Sequence, residues 1–149
     1  MKNLYTVDEI AAVFRELGLD AEILPDEPDC DTRIHSHTNG IAWQIAMTGD
    51  GPFQFGIRAR VPMWVRGDPL RWANDWNRKR WSQAFAAIDP DTNRPVARER
   101  TYMVGVESTL IFGTGVTPEY IAGFIDWWTE EVNALSEFPE VTFYAELPQ

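Results

Sequence analysis

At 149 residues, with 44% hydrophobic residues and seven tryptophans, the chain holds enough apolar matter for one domain with its own core. A single cysteine, Cys30, excludes an intramolecular disulfide and points to a reducing, cytoplasmic setting. A net charge of −10 and a pI near 4.5 argue against nucleic acid and anionic membranes as partners, because both attract positive potential.

The charge is unevenly distributed. Residues 1–57 carry −7, residues 58–100 carry +5 and residues 101–149 carry −8. The basic middle therefore either meets a polyanion or packs beside the acidic ends, within one chain or across a dimer. The N-terminal MKNLYTVDEI lacks the apolar run of a secretory signal. No stretch approaches the ~20 apolar residues of a membrane span.

In chain order, TVDEIAAVFRELG predicts a helix. Thr6 and Glu9 form a capping box, Ile10, Val13, Phe14 and Leu17 make an apolar stripe, and Gly18 stops it. A short strand follows near 21–24, then an acidic loop. The segments 32–38 and 41–48 read as strands joined at Asn39-Gly40, and FQFGIRARV as the next strand, giving an antiparallel meander over 20–61. Met63 and Trp64 are expected in a loop between Pro62 and Gly67, either exposed or folded back over the sheet.

Asp68 and Pro69 open a second helix, as N-cap and first helical residue. WSQAFAAID reads as a strand and DPDTNRP as a loop. PVARERTYMVGVESTLIF is long for one strand, so a bulge or bend is expected near Gly105. Thr117 and Pro118 then start a third helix, buried through Ile121, Phe124, Ile125, Trp128, Val132 and Leu135. The tail 139–149 adds a short edge strand or stays loose. The order α-β-β-β-(β)-α-β-β-α defines an α+β domain, helices packed on an antiparallel sheet.

Four sets of residues are candidates for chemistry. WANDWNRKRW interleaves aromatics with bases, as single-strand nucleic-acid surfaces do. Helical phase puts Trp72 and Trp76 on one side and Arg71, Asp75 and Arg78 towards the other, which fits a core helix with a cationic end. Trp81 lies past the helix end. Asn77 stands at the helix-to-strand junction, where its amide can satisfy loose backbone groups.

Arg33, His35 and His37 share one strand face. A zinc site there would need more ligands than these histidines with Cys30 and Asp31 supply, so the face reads as a solvated one. Arg58 with Arg60, and Arg98 with Arg100, share strand faces and would form an anion patch if the strands were neighbours. Glu130 and Glu131, adjacent in sequence, diverge on a helix and make no catalytic pair. No nucleophile elbow or phosphate-binding loop is present.

Several segments in order carry a resemblance: the helix ending in ELG, then TRIHSHTNGIAWQI, then NDWNRKR with Asn74, Trp76 and Asn77, then Phe85 and Ala86, and last GVTPEYI with Gly115 and Thr117. Over residues 5 to about 136 the chain resembles the YbjN family of bacterial proteins, called putative sensory transduction regulators. That resemblance implies a type III secretion chaperone-like fold. Chaperones of that fold are small, acidic and usually dimeric, hold a client chain and catalyse nothing. It thus implies one domain over 1–138 with a tail at 139–149, no cofactor, no metal and no enzymatic activity. The chain departs from the family in its tryptophan richness, in the loop Met63–Arg66 and in its tail.

The expected function is a non-enzymatic, chaperone-like or regulatory module that binds a protein partner, as a homodimer, through aromatic surface. Trp64, Trp72, Trp81 and Trp127 are its candidate contacts, with Arg58 and Arg60 beside them. The alternative is a small-ligand sensor whose pocket is lined by Trp43, Trp72 or Trp76 with nearby arginines.

Overall fold

The first helix forms where its caps predict. In the computed structural model, which describes residues 1–25, 32–49 and 51–148, α1 spans Val7–Glu16. The Glu9 amide donates to the Thr6 hydroxyl at 3.2 Å, and the Thr6 amide donates to the Glu9 carboxylate at 3.0 Å. Ile10, Ala11, Val13 and Phe14 are buried; Leu17, expected in that stripe, is the C-cap and is exposed. The helix ends one turn too soon for Leu17 to reach the core.

Strands β1 (Glu22–Leu24), β2 (Arg33–Thr38), β3 (Ile41–Thr48) and β4 (Gly56–Arg66) make the antiparallel meander. Helix α2 (Pro69–Lys79) follows, with Asp68 accepting from the amides of Leu70 and Arg71. Next come β5 (Gln83–Ala86), a small hairpin of β6 (Ile88–Asp89) and β7 (Arg94–Pro95), β8 (Ala97–Arg98) and β9 (Thr101–Ile111). Helix α3 (Pro118–Leu135) and β10 (Val141–Phe143) close the chain. The main sheet runs β1-β2-β3-β4-β9-β5, with β8 added to β9 and β10 to β4, and every pairing is antiparallel.

Three expectations are corrected. Phe53 and Phe55 precede the strand, which starts at Gly56 and continues through Met63 and Trp64 to Arg66. The expected loop there is the second half of a central strand. Pro62 misled the reading because it cannot donate to a ladder. It is tolerated where it stands: pairing with β3 ends at Arg60, and pairing with β10 begins at Met63.

The bulge near Gly105 is absent. The β4–β9 register runs unbroken from Gly56↔Ile111 to Arg66↔Thr101. Gly105 serves the strand opposite, where Phe85 pairs with it and lays its ring across; a Cβ there would lie 2.5 Å from the ring. The long segment is instead broken earlier, by a turn at Glu99 and Arg100 between β8 and β9, with Glu99 at φ 58°. Arg98 and Arg100 therefore do not share a strand face.

One hydrophobic cluster joins the helices to one face of the sheet. On β4, Ile57, Ala59, Val61, Met63 and Val65 all point into it. Trp43 of β3 meets Phe14 of α1 and Trp128 of α3, with ring centroids 5.6 and 6.2 Å apart. The alternate residues of β4, Arg58, Arg60 and Pro62 among them, face the other side.

The tail is part of the sheet. Val141, Thr142 and Phe143 pair with Val65, Trp64 and Met63. The Ala42 amide donates to the Tyr144 carbonyl at 3.1 Å, and His37 Nε2 lies 3.1 Å from the Ala145 carbonyl. The tail thus fills the fork where β3 and β4 part.

Candidate partner-binding site

The turn after α2 is built to display Trp81. Glu131, on the buried side of α3 at 2% exposure, accepts from the Ser82 amide at 3.1 Å and the Ser82 hydroxyl at 2.8 Å, and pairs with Arg80. Trp76 Nε1 donates to the Ser82 hydroxyl at 3.1 Å. With Arg80 and Ser82 both tied inward, the residue between them must point away, and Trp81 is 90% exposed. Burial alone pushes the Glu131 carboxyl up, but the bonds from Ser82 and Arg80 outweigh it, so its pKa lies below the usual glutamate value. The carboxylate is ionised and Arg80 has a full counter-charge.

Asn77 makes the junction rigid as its position suggests. Its side-chain amide donates to the Ala84 carbonyl at 2.9 Å and accepts from the Ala84 amide at 2.6 Å. This copies one strand pairing and fixes where β5 starts. The Asn74 side chain, by contrast, is exposed on α2 and makes no hydrogen bond among the described residues.

Beside Trp81 lies a groove of about 390 Å³ between α2 and the end of α3. Trp72 and Trp76 stack at 5.6 Å with 13° between their planes, and Phe138 packs edge-on to Trp72 at 5.5 Å. Asp75, Lys79 and Arg80 line it from the α2 side, and Glu137 and Glu140 from beyond the end of α3. The stacked indoles are nearly covered, yet Trp72 Nε1 is buried without a hydrogen-bond partner.

The other expected contacts are dispersed. Trp64 is buried at 7% exposure, under Arg98 with 4.4 Å to its ring centre, and donates to the Tyr144 hydroxyl at 2.9 Å. Trp72 is buried at 8% exposure by Trp76 and Phe138. Neither is free surface, because the strand and the tail cover the first and α2 with Phe138 cover the second. Trp127 is half-buried, against Phe124 in a cleft with Leu110 and Tyr120. Arg58 is exposed, and Arg60 pairs with Glu107 at 3.0 Å. Trp43 lies in the core, away from the groove.

The anion patch of four arginines does not assemble: Arg98 stacks on Trp64 and Arg100 sits in the turn. The histidine face is also not the solvated one expected. His35 is buried at 6% exposure and its pKa is lowered, first by burial and then by Arg33, whose Nε lies 3.3 Å from its Nε2. His37 contacts Asp20 at 2.8 Å. Cys30 and Asp31 lie outside the described residues. Among the described residues no three acids, histidines or cysteines gather as a metal cluster, and no helix is long and apolar enough to cross a membrane.

Glu131 is the residue that sequence reasoning missed. The divergence of Glu130 from Glu131 was legible, but not its result: Glu130 is exposed and Glu131 lies in the core. The signal is its phase: three residues after Trp128 and four before Leu135, it falls at helical spacing within the buried stripe.

Gly115 and Thr117 do what the turn requires. Gly115 has φ 137°, and the Thr117 hydroxyl accepts from the Tyr120 amide at 3.1 Å to open α3.

Among the described residues this architecture, three helices packed on a large antiparallel sheet, defines an α+β protein. The profile of the YbjN family, described as "Putative bacterial sensory transduction regulator", matches residues 6–138. The chain belongs to the YbjN family. Its fold is similar to the crystal structure of YbjN, a putative transcription regulator from E. coli, with a TM-score of 0.59. That likeness covers 88% of this chain and 87% of the other at 19% sequence identity. No curated protein matches the chain.

Proposed function

We propose that this chain is a non-catalytic, chaperone-like or regulatory module that holds a protein partner, with Trp81 as the anchor. One observation carries the reading: Trp81 is 90% exposed while both its neighbours are pinned to Glu131. An indole held out rigidly costs little entropy on binding, and tryptophan dominates interface hot spots. The family description as a regulator supports the same reading. The protein acts as a cytoplasmic homodimer and needs no cofactor.

A photo-crosslinking amino acid at position 81, expressed in cells, tests this. The expected result is a discrete protein adduct from position 81 and none from the exposed loop position Thr92. Equal labelling from both positions, or none from 81, would reject the anchor.

A second reading is a small-ligand sensor at the groove beside Trp81. The unpaired Trp72 Nε1 and the groove's volume, within the usual ~300–1,000 Å³ of ligand sites, favour it. Stabilisation by a small molecule in thermal-shift screening, lost in Trp72→Phe, is its expected signature.

A further inference from the structure

All three helices share the cluster on one face of the sheet, and the other face is built differently. The strand registers line up a row across it: Glu22, His35, Gln44, Arg60, Glu107 and Gln83. The next row carries Arg33, Ala46, Arg58 and Thr109. Ala46, paired with Arg58, keeps the floor low beside that arginine.

Two of these arginines are held in place. Arg60 donates to Glu107 and lies over the Phe85 ring, 5.2 Å from its centre, and Arg98 lies over Trp64. Arg58 is exposed, and its side chain makes no hydrogen bond, ion pair or ring contact among the described residues. Arg58 and Arg60 are two residues apart on β4, so their side chains rise about 6.6 Å apart along the strand. Alternate residues of an extended peptide repeat at that same spacing.

On the helical side, α1 and α3 have the opposite sign, while α2 is cationic through Arg71, Arg78 and Lys79. Asp8, Glu16, Glu119, Asp126 and Glu130 are exposed on α1 and α3, and α3 has no basic residue. An acidic partner is repelled from α1 and α3, which leaves the arginine face and α2 as its basic surfaces, and Arg71 on α2 serves as the control between them.

We infer that the helix-free face of the sheet, around Arg58, Arg60 and Arg98, docks an extended acidic segment of a protein partner. A nucleic acid fits less well, since the chain's charge of −10 opposes a continuous polyanion. The inference rests on the chain being a protein-binding module but uses a surface other than Trp81, so the two fail separately.

A fluorescein-labelled peptide of five Glu-Ser repeats, titrated by anisotropy at low salt, is the probe. Saturable binding is expected, weakened about tenfold by Arg58→Glu with unchanged melting temperature. Arg71→Glu on α2 and Trp81→Ala are expected to leave it intact. No binding by the wild-type protein would overturn the inference, as would an equal loss in Arg71→Glu, which would indicate bulk charge alone. Loss in Trp81→Ala would move the peptide to the indole, and tighter binding of a ten-residue oligothymidylate would favour nucleic acid; either result overturns it.

Discussion

The Glu131 carboxylate is the point where α3 and the turn after α2 are joined, through Ser82 and Arg80. Because its folded pKa lies below that of an unfolded glutamate, the folded state holds the proton less tightly. The stabilisation is therefore complete above the unfolded value of about 4.3 and is lost as pH falls through the folded value. Glu131→Gln keeps a group that can bond Ser82 but removes the charge opposite Arg80. It should cost about 2 kcal/mol at neutral pH. It should also flatten the fall in stability as pH drops below the unfolded glutamate value of about 4.3, measured by urea unfolding across acidic pH. Asn77→Ala leaves both backbone groups of Ala84 without their partner, and a loss of about 1–3 kcal/mol is expected by the same measurement. Asn77 was legible in the sequence because its partner is seven residues away. Glu131 was not, because Ser82 and Arg80 lie some fifty residues distant and no local pattern announces them.

At the scale of elements, the tail carries the sharpest consequence. β10 pairs with β4, its following residues bond Ala42 and His37, and Glu140 accepts from the Arg66 amide at 3.0 Å. Removing residues 139–149 opens the fork between β3 and β4, exposes Met63 and Val65, and leaves Trp64 Nε1 without Tyr144. Burying one such side chain is worth about 1.5–3 kcal/mol, so the truncated protein should melt at least about 5 °C lower in a thermal scan. The family match ends at residue 138, so this closure lies beyond the matched segment. The helices were legible in detail, since their caps and stripes are local: Thr6, Asp68 and Thr117 all cap as their sequences predict. The second half of β4 was not, because Pro62 reads as a strand breaker until the gap between its two neighbours is seen.

For the whole molecule, charge governs association. Two copies at −10 repel each other at long range. A homodimer should therefore strengthen as salt screens this repulsion, and sedimentation equilibrium should show more dimer at 0.5 M than at 0.05 M salt. Trp81→Ala should keep both the wild-type dimer fraction and the wild-type melting temperature, since an exposed side chain that serves the partner contributes little to folding. A wild-type protein that is monomeric at every salt concentration would remove the homodimer from the proposed function.

The sequence alone determined the α+β class, the three helices with their caps, the Asn39-Gly40 hairpin and the acidic excess. All of these follow from residues close together in the chain or from simple composition. It also split WANDWNRKRW correctly by helical phase into an inward pair, Trp72 and Trp76, and an outward set of charges. Only the tertiary structure decided which tryptophans meet solvent, that β4 runs on through Trp64, that the tail closes the sheet and that Glu131 is buried. Each of those depends on a partner far away in sequence: Tyr144 for Trp64, Glu131 for Arg80 and Ser82, Phe138 for Trp72. Burial is a property of what covers a residue, and what covers these is set by how the chain returns to itself.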